Sequence, residues 1–232
     1  MTANENVSKR KSIRPLASLA DIVCRRAFSS PEAFLYEWTI AHALADVVTP
    51  VFASSASGLV LDVGAGGGTV ASRLVQEHQL TVVALDPSAA QVRRAQHRAN
   101  HQLGLTACQG GAENLPFRNG SFDSVISSCA WKHWPDAARG IDECIRVLKP
   151  RGTLTIIEID GSTSADEFWE FARESRVPWG MKHAYLRFAM RTVVGVAPSV
   201  SDLVTSFGTT PVLAEKIPKY PFNVVRYQAP GV

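Results

Sequence analysis

An α/β fold built on one mostly parallel, seven-stranded sheet is predicted by three observations. From Gly58 to Ile159, short apolar runs alternate with segments of helical periodicity, the pattern of parallel strands joined by helical crossovers. A glycine-rich turn, Gly64-Ala65-Gly66-Gly67-Gly68, falls where the first apolar run ends and the first helical segment begins. Two further strand-like runs close the chain, with a connection short enough for an antiparallel hairpin.

The chain has 232 residues, enough for one sizeable domain and too few for two comfortable ones. With 46% hydrophobic and 19% charged residues, it reads as globular rather than disordered or fibrous. A net charge of +3 is too small to indicate a nucleic-acid partner by itself. Cys24, Cys108, Cys129 and Cys144 are widely spaced and form no CxxC pair, so neither a metal site nor a redox motif is predicted. No stretch approaches the roughly 20 apolar residues needed to span a bilayer. The polar, basic segment from Asn4 to Arg14 has no apolar run behind it and does not read as a signal peptide. A reduced, cytoplasmic protein is expected.

Residues 1–57 are read as a basic arm followed by two cap helices. The first has an apolar stripe at Leu16, Leu19, Ala20 and Val23. The second starts at Ser30-Pro31-Glu32, runs through Phe34, Leu35, Trp38, Leu44 and Val48, and is expected to stop at Pro50. From 58 to 232 the chain is read as the main domain. Its strands are expected at 59–63, 80–85, 105–109, 122–128 and 153–159, with helices at 69–78, 88–103 and 135–148 between them. Residues 164–197 break the alternation with a helical, aromatic insertion. Ser199 or Ser201 caps a short helix, and strands at 212–217 and 222–227 complete the sheet.

The strand-to-helix turn Asp62-Val63-Gly64-Ala65-Gly66-Gly67-Gly68-Thr69 lets the backbone approach a ligand, with the amides opening the next helix aimed at it. Asp86 ends the second strand, where a carboxylate can accept from two ribose hydroxyls. The alternative role for Asp86 is to start the helix that follows. Thr69 stands where a dinucleotide motif requires glycine. Asp62 would repel a pyrophosphate and attract an ammonium, so a zwitterionic amino-acid moiety fits this loop better.

Residues 59–159 resemble the class I S-adenosylmethionine-dependent methyltransferase family, in particular its small-molecule branch. The resemblance rests on Leu61–Gly68, on Ala84-Leu85-Asp86-Pro87-Ser88, on Gly111–Phe117 followed by Ser121-Phe122-Asp123, and on Arg146–Gly152. It implies a Rossmann-like fold with helices on both sheet faces and an N-terminal helical cap, and S-adenosyl-L-methionine as cofactor. By the same resemblance Asp62, Gly64, Ala65 and Gly66 hold the methionine end. Asp86 and Pro87 border the ribose, Ala112 and Glu113 the adenine, and Ser128 and Cys129 the methionine side. Gly111 departs from the acidic residue common in the family, and Glu113 or a water would take its place. Arg151 stands where a glycine is usual.

Methyl transfer from a sulfonium depends chiefly on alignment, with a base needed only when the acceptor loses a proton. His133, in the loop after the fourth strand, is the candidate catalytic base; the alternative is a packing role beside Trp134. Trp131 and Trp134 are candidates for an aromatic wall. The cap and the insertion carry Trp38, Trp169, Trp179 and Tyr185, which suit an apolar or aromatic acceptor or, equally, ordinary helix packing. Arg93, Arg94, His97, Arg98 and His101 share one helix and read as a solvated face, with an RNA-facing patch as the alternative. The expected function is methylation of a small-molecule acceptor, without nucleic acid or metal. An RNA or protein acceptor, or cofactor binding without catalysis, are the alternatives.

Overall fold

The computed structural model describes residues 40–192, 194, 197, 199–208 and 210–231. The first expected cap helix and Trp38 lie outside them. Seven strands form one sheet in the order β3-β2-β1-β4-β5-β7-β6. The strands are β1 (Leu59–Val63), β2 (Thr81–Asp86), β3 (Leu105–Gln109), β4 (Phe122–Ser128), β5 (Leu148–Ile159), β6 (Leu213–Lys216) and β7 (Phe222–Gln228). The first five pair in parallel, whereas β7 runs antiparallel to both β5 and β6. The helices described are α1 (His42–Ala53), α2 (Thr69–His78), α3 (Ala89–Ala99), α4 (Ala137–Val147), α5 (Ala165–Glu174), α6 (Lys182–Thr192) and α7 (Val200–Ser206).

Side-chain alternation along the strands divides the core in two. Val60, Val82, Ile126 and Ile157 face one layer, with α1, α2 and α5. Leu61, Leu85, Val125 and Ile156 face the other, with α4 and α7. Strands buried on both faces explain the nearly unbroken apolar runs in the sequence.

Two local expectations are corrected. Helix α1 does not stop at Pro50 but continues to Ala53. The proline removes the bond to the carbonyl of Asp46, and both residues lie on the exposed face, where water can satisfy that carbonyl. The turn 149–152 is not a break before β5 but a bulge inside it, with β4 pairing shifting from Phe122↔Leu148 to Ser124↔Thr153. Arg151 holds φ +64° there, a left-handed conformation that explains the kinship of this position with glycine. Segment 164–197 divides into α5, a 3-10 turn at Trp179–Met181, and α6. Ser164 opens α5 with a reciprocal capping box to Glu167, and Ser199, not Ser201, does the same for α7 with Asp202. No helix among the described residues is long and apolar enough to cross a membrane.

Candidate functional site

Parallel neighbours β1 and β4 send their chains to opposite sides of the sheet, which opens a crevice beyond their carboxyl ends. A cavity of about 700 Å³ lies there. Its walls come from the loops after β1, β2, β3 and β4, with Ala41 and Leu44 of the α1 region on one side.

Gly64 and Gly66 adopt φ +78° and +55°, and Gly68 caps α2 at φ +79°. A Cβ on Gly64 would sit 2.4 Å from the Cβ of Ala130, so the loops after β1 and β4 meet here at backbone distance. The amides of Gly64 and Ala65 donate to the Leu85 carbonyl, at 2.8 and 3.0 Å, and that of Gly66 to Asp86 Oδ2 at 2.9 Å. These loop donors are therefore used to lash β1 to the end of β2. This differs from a loop holding its amides out toward an anion, and it leaves a cradle shaped for close approach. The guanidinium of Arg98 also donates to the Gly67 carbonyl.

Asp86 helps to start the next helix and also lines the cavity. Its Oδ1 accepts from the Ser88 amide at 2.8 Å, which starts α3, while its carboxyl borders the cavity. Burial raises its pKa, partly offset by the amides of Ser88 and Gly66. Asp62 lies beneath the cavity floor rather than on its wall, 1% exposed. Neither of its carboxyl oxygens has a hydrogen-bond partner in the protein. Burial, with the Asp86 charge nearby, pushes its pKa up to about 7. A buried carboxyl with unmet acceptors beside a glycine cradle suits a cationic or hydrogen-bonding group such as an amino-acid ammonium.

On the β3 side, Gly110, Gly111, Ala112 and Glu113 line the cavity. Glu113 Oε1 accepts from the Asp136 amide at 3.2 Å, tying this loop to the start of α4. Its Oε2 lies 3.1 Å from where a Cβ on Gly111 would stand, so the carboxylate occupies the space that a side chain at 111 would need.

Ser128, Cys129, Ala130, His133 and Trp134 form the β4 side, and Pro87 and Ser88 the β2 side. Cys129 holds φ +52°, and burial pushes its thiol up to about 12, which keeps it protonated and unreactive near neutral pH. Lys132 turns away from the cavity. Its Nζ reaches Glu158 Oε1 at 2.6 Å and the Cys129 carbonyl at 2.9 Å, with the two charged side chains 7% and 1% exposed. The ion pair staples the loop carrying His133 to β5. In the sequence, only the carboxylate near the end of the apolar β5 run signals this pair.

The aromatic candidates separate. Trp134 lines the cavity, and its ring packs where a Cβ on Gly140 would stand, at 2.5 Å from Cε3. Trp131, three residues earlier on a 3-10 turn, does not line the cavity, although both rings pack partly buried against the same core layer. Trp169, Trp179 and Tyr185 do not line the cavity. Tyr185 joins the core cluster that Cys129 borders, with its hydroxyl pKa raised by burial. Trp169 stacks against Trp179 and His183, with ring centroids 6.1 and 4.6 Å away. The basic helix divides too, for Arg93 reaches the cavity rim, Arg98 holds the glycine loop, and His97 packs edge-on against His101. Among the described residues, no group of three His, Cys, Asp or Glu is placed to hold a metal.

Residues 61–156 match the family model described as a methyltransferase domain. An uncharacterized methyltransferase of Mycobacterium tuberculosis is 40% identical over 103 residues, 44% of this chain and 40% of that protein. The phthiotriol/phenolphthiotriol dimycocerosates methyltransferase of Mycobacterium leprae is 40% identical over 113 residues, 48% of this chain and 41% of that protein. A 2-methyl-6-phytyl-1,4-hydroquinone methyltransferase of Oryza sativa is 34% identical over 113 residues, 48% of this chain and 32% of that protein. The chain thus spans less than half the length of these curated relatives. Among solved structures, S-adenosylmethionine-dependent methyltransferases of Thermotoga maritima and Aquifex aeolicus share the fold, each with a TM-score of 0.58 and 17% identity. The first match covers 92% of this chain and 99% of that one, the second 90% and 97%. Residues 61–156 thus carry a methyltransferase domain, and the chain shares the fold of these S-adenosylmethionine-dependent methyltransferases.

Proposed function

We propose that this chain transfers a methyl group from S-adenosyl-L-methionine to a small, apolar or aromatic acceptor. The observation that carries the proposal is a single cavity joining two chemistries. The glycine cradle and Asp86, with the buried Asp62 beside the cradle, suit a zwitterionic nucleoside on one side, while His133 and Trp134 border the same space on the other. When bound, the cofactor supplies an activated methyl carbon on its sulfonium. The chain's part is to hold donor and acceptor in line and to keep water out.

In this reading Gly64, Ala65 and Gly66 admit the methionine end, Asp62 meets its ammonium, and Asp86 and Pro87 border the ribose. Ala112 and Glu113 frame the adenine, and Ser128 and Cys129 the methionine side. His133 takes the proton of an acceptor hydroxyl or amine, and Trp134 offers an apolar wall. Ala41 and Leu44 border the acceptor side, and Tyr185 and Trp169 do not touch the acceptor. The names of the Mycobacterium leprae and rice relatives, a dimycocerosate lipid and a phytyl hydroquinone, support an acceptor with an apolar body.

The test has two arms. Calorimetry with S-adenosylhomocysteine and with NAD should show binding of the first only; preference for NAD overturns the assignment. Transfer of labelled methyl should then mark lipid or quinol fractions, and label entering RNA or protein instead would transfer the proposal to those acceptors.

A further inference from the structure

The 3-10 turn between α5 and α6 exposes two large apolar side chains, Trp179 at 69% and Met181 at 58%. Gly180 stands between them with nothing within 4 Å of where its Cβ would be, so the turn projects from the surface. The turn is nevertheless held firmly. Lys182, itself 6% exposed, donates to the carbonyls of Arg173 at 2.6 Å and Ser175 at 3.2 Å at the end of α5, and its Nζ lies 5.9 Å from the Trp179 ring. Trp169 packs against that ring, with centroids 6.1 Å apart, and His183 packs in turn against Trp169 at 4.6 Å. A rigid, convex apolar tip spends no ordering entropy when it is covered, which marks it as a contact site rather than a frayed loop.

We infer that this tip rests on the surface of an anionic lipid bilayer, with Trp179 and Met181 entering the headgroup layer. Shape and charge both favour this occupant. Two side chains on a convex turn offer far less than the roughly 800 Å² per partner that a stable protein interface needs. Tryptophan at such a boundary buries its ring while keeping its N–H wet. From Ser175 to Arg187 the chain carries Arg176, Lys182, His183 and Arg187 and no Asp or Glu; of these, Arg176, His183 and Arg187 are exposed. Of the acids on α5 near the turn, Glu170 pairs with Arg173 and Glu174 accepts from the Tyr220 hydroxyl. Cations beside an exposed Trp match the negative potential of anionic headgroups. Further along α6, Tyr185 packs on the same core layer as Cys129, which lines the cavity.

The test needs neither cofactor nor acceptor, so its outcome is separate from that of the methyltransferase proposal. The full chain is sedimented at physiological salt with vesicles of phosphatidylcholine alone and of phosphatidylcholine with phosphatidylglycerol in equal parts. The wild type should pellet with the anionic vesicles, and Trp179→Ser with Met181→Ser should lower that partition at least fivefold with an unchanged thermal melt. Arg176→Glu with Arg187→Glu should give a comparable loss, which covers the case of a poorly folded apolar variant. A wild type that stays in the supernatant overturns the inference. So do apolar variants that pellet like the wild type, since another segment would then carry the binding. A wild-type dimer that becomes monomeric on replacing Trp179 and Met181 would show a second copy on the tip and overturn it equally.

Discussion

The Gly66 amide lies 2.9 Å from Oδ2 of Asp86, so a carboxylate that borders the cavity also shapes the glycine loop. Its other oxygen holds the Ser88 amide at 2.8 Å. Replacing Asp86 with Ala leaves two backbone donors without their partner, a cost of about 1–3 kcal/mol each if they stay buried. Asp86→Ala should therefore lose at least tenfold in affinity for S-adenosylhomocysteine and also melt earlier. Calorimetry and thermal denaturation read the two effects, and unchanged affinity would place the ribose elsewhere.

Gly64→Ala should be more damaging than a methyl group usually is. The new Cβ would stand 2.4 Å from that of Ala130, at a backbone φ of +78°. Adding Ala130→Gly should recover part of the lost stability by removing the clash, and the rest should persist because the backbone conformation still disfavours a side chain. Denaturant melts of the single and double variants separate these contributions.

Asp62 sets a pH dependence. Its folded pKa of about 7 lies above the ordinary carboxyl value of 3.8. The neutral form is thus favoured in the fold, and stability from this group is fully present below the ordinary value and is lost as pH rises through 7. The loss is up to about 4 kcal/mol. Asp62→Asn should flatten that loss in melts taken between acid and pH 8. An ammonium placed beside Asp62 favours its charged form, so S-adenosylhomocysteine should bind more tightly as pH rises and release a proton in the process. Calorimetry in buffers of different ionisation enthalpy detects the proton, and equal proton release by Asp62→Asn would assign it to another group.

The Lys132–Glu158 pair should show strong coupling. Lys132→Met strands a buried carboxylate and should destabilise by roughly 3–5 kcal/mol, while adding Glu158→Leu should restore most of the loss. A double-mutant cycle measured in urea tests this, and additive effects would mean that the pair is solvated.

His133→Ala should lower turnover by about 10²-fold while affinity for S-adenosylhomocysteine stays near that of the wild type, as expected of a general base. A loss of only a fewfold would leave His133 as a packing residue beside Trp134. The comparison is made with whichever acceptor takes up label.

The sheet was legible because its strands are buried on both faces and its turns carry glycine and aspartate at fixed positions. What escaped was tertiary. Arg98 reads as one more cation on a charged helix, yet it reaches across to the Gly67 carbonyl, and no periodicity encodes that reach. Trp131 and Trp134 look like one aromatic wall, but only the second lines the cavity, although both pack against the same core layer. Pro50 is a stop signal in sequence, and only the exposure of the Asp46 face lets the helix pass it. The glycine loop announced a ligand, while its amides turn out to serve the end of β2.

The outermost strand β6 bears on how the protein behaves at high concentration. It is only four residues long, its Glu215 side is exposed, and Pro211 and Pro218 stand just beyond its two ends. A neighbouring molecule seeking to extend the sheet would find few backbone groups to pair with, a charge in its path, and no room to lengthen the ladder in either direction. The antiparallel hairpin therefore does more than complete β5. It gives a long, strongly apolar sheet a blunt margin, and so allows its interior strands to be as sticky as the core requires without inviting fibrous growth.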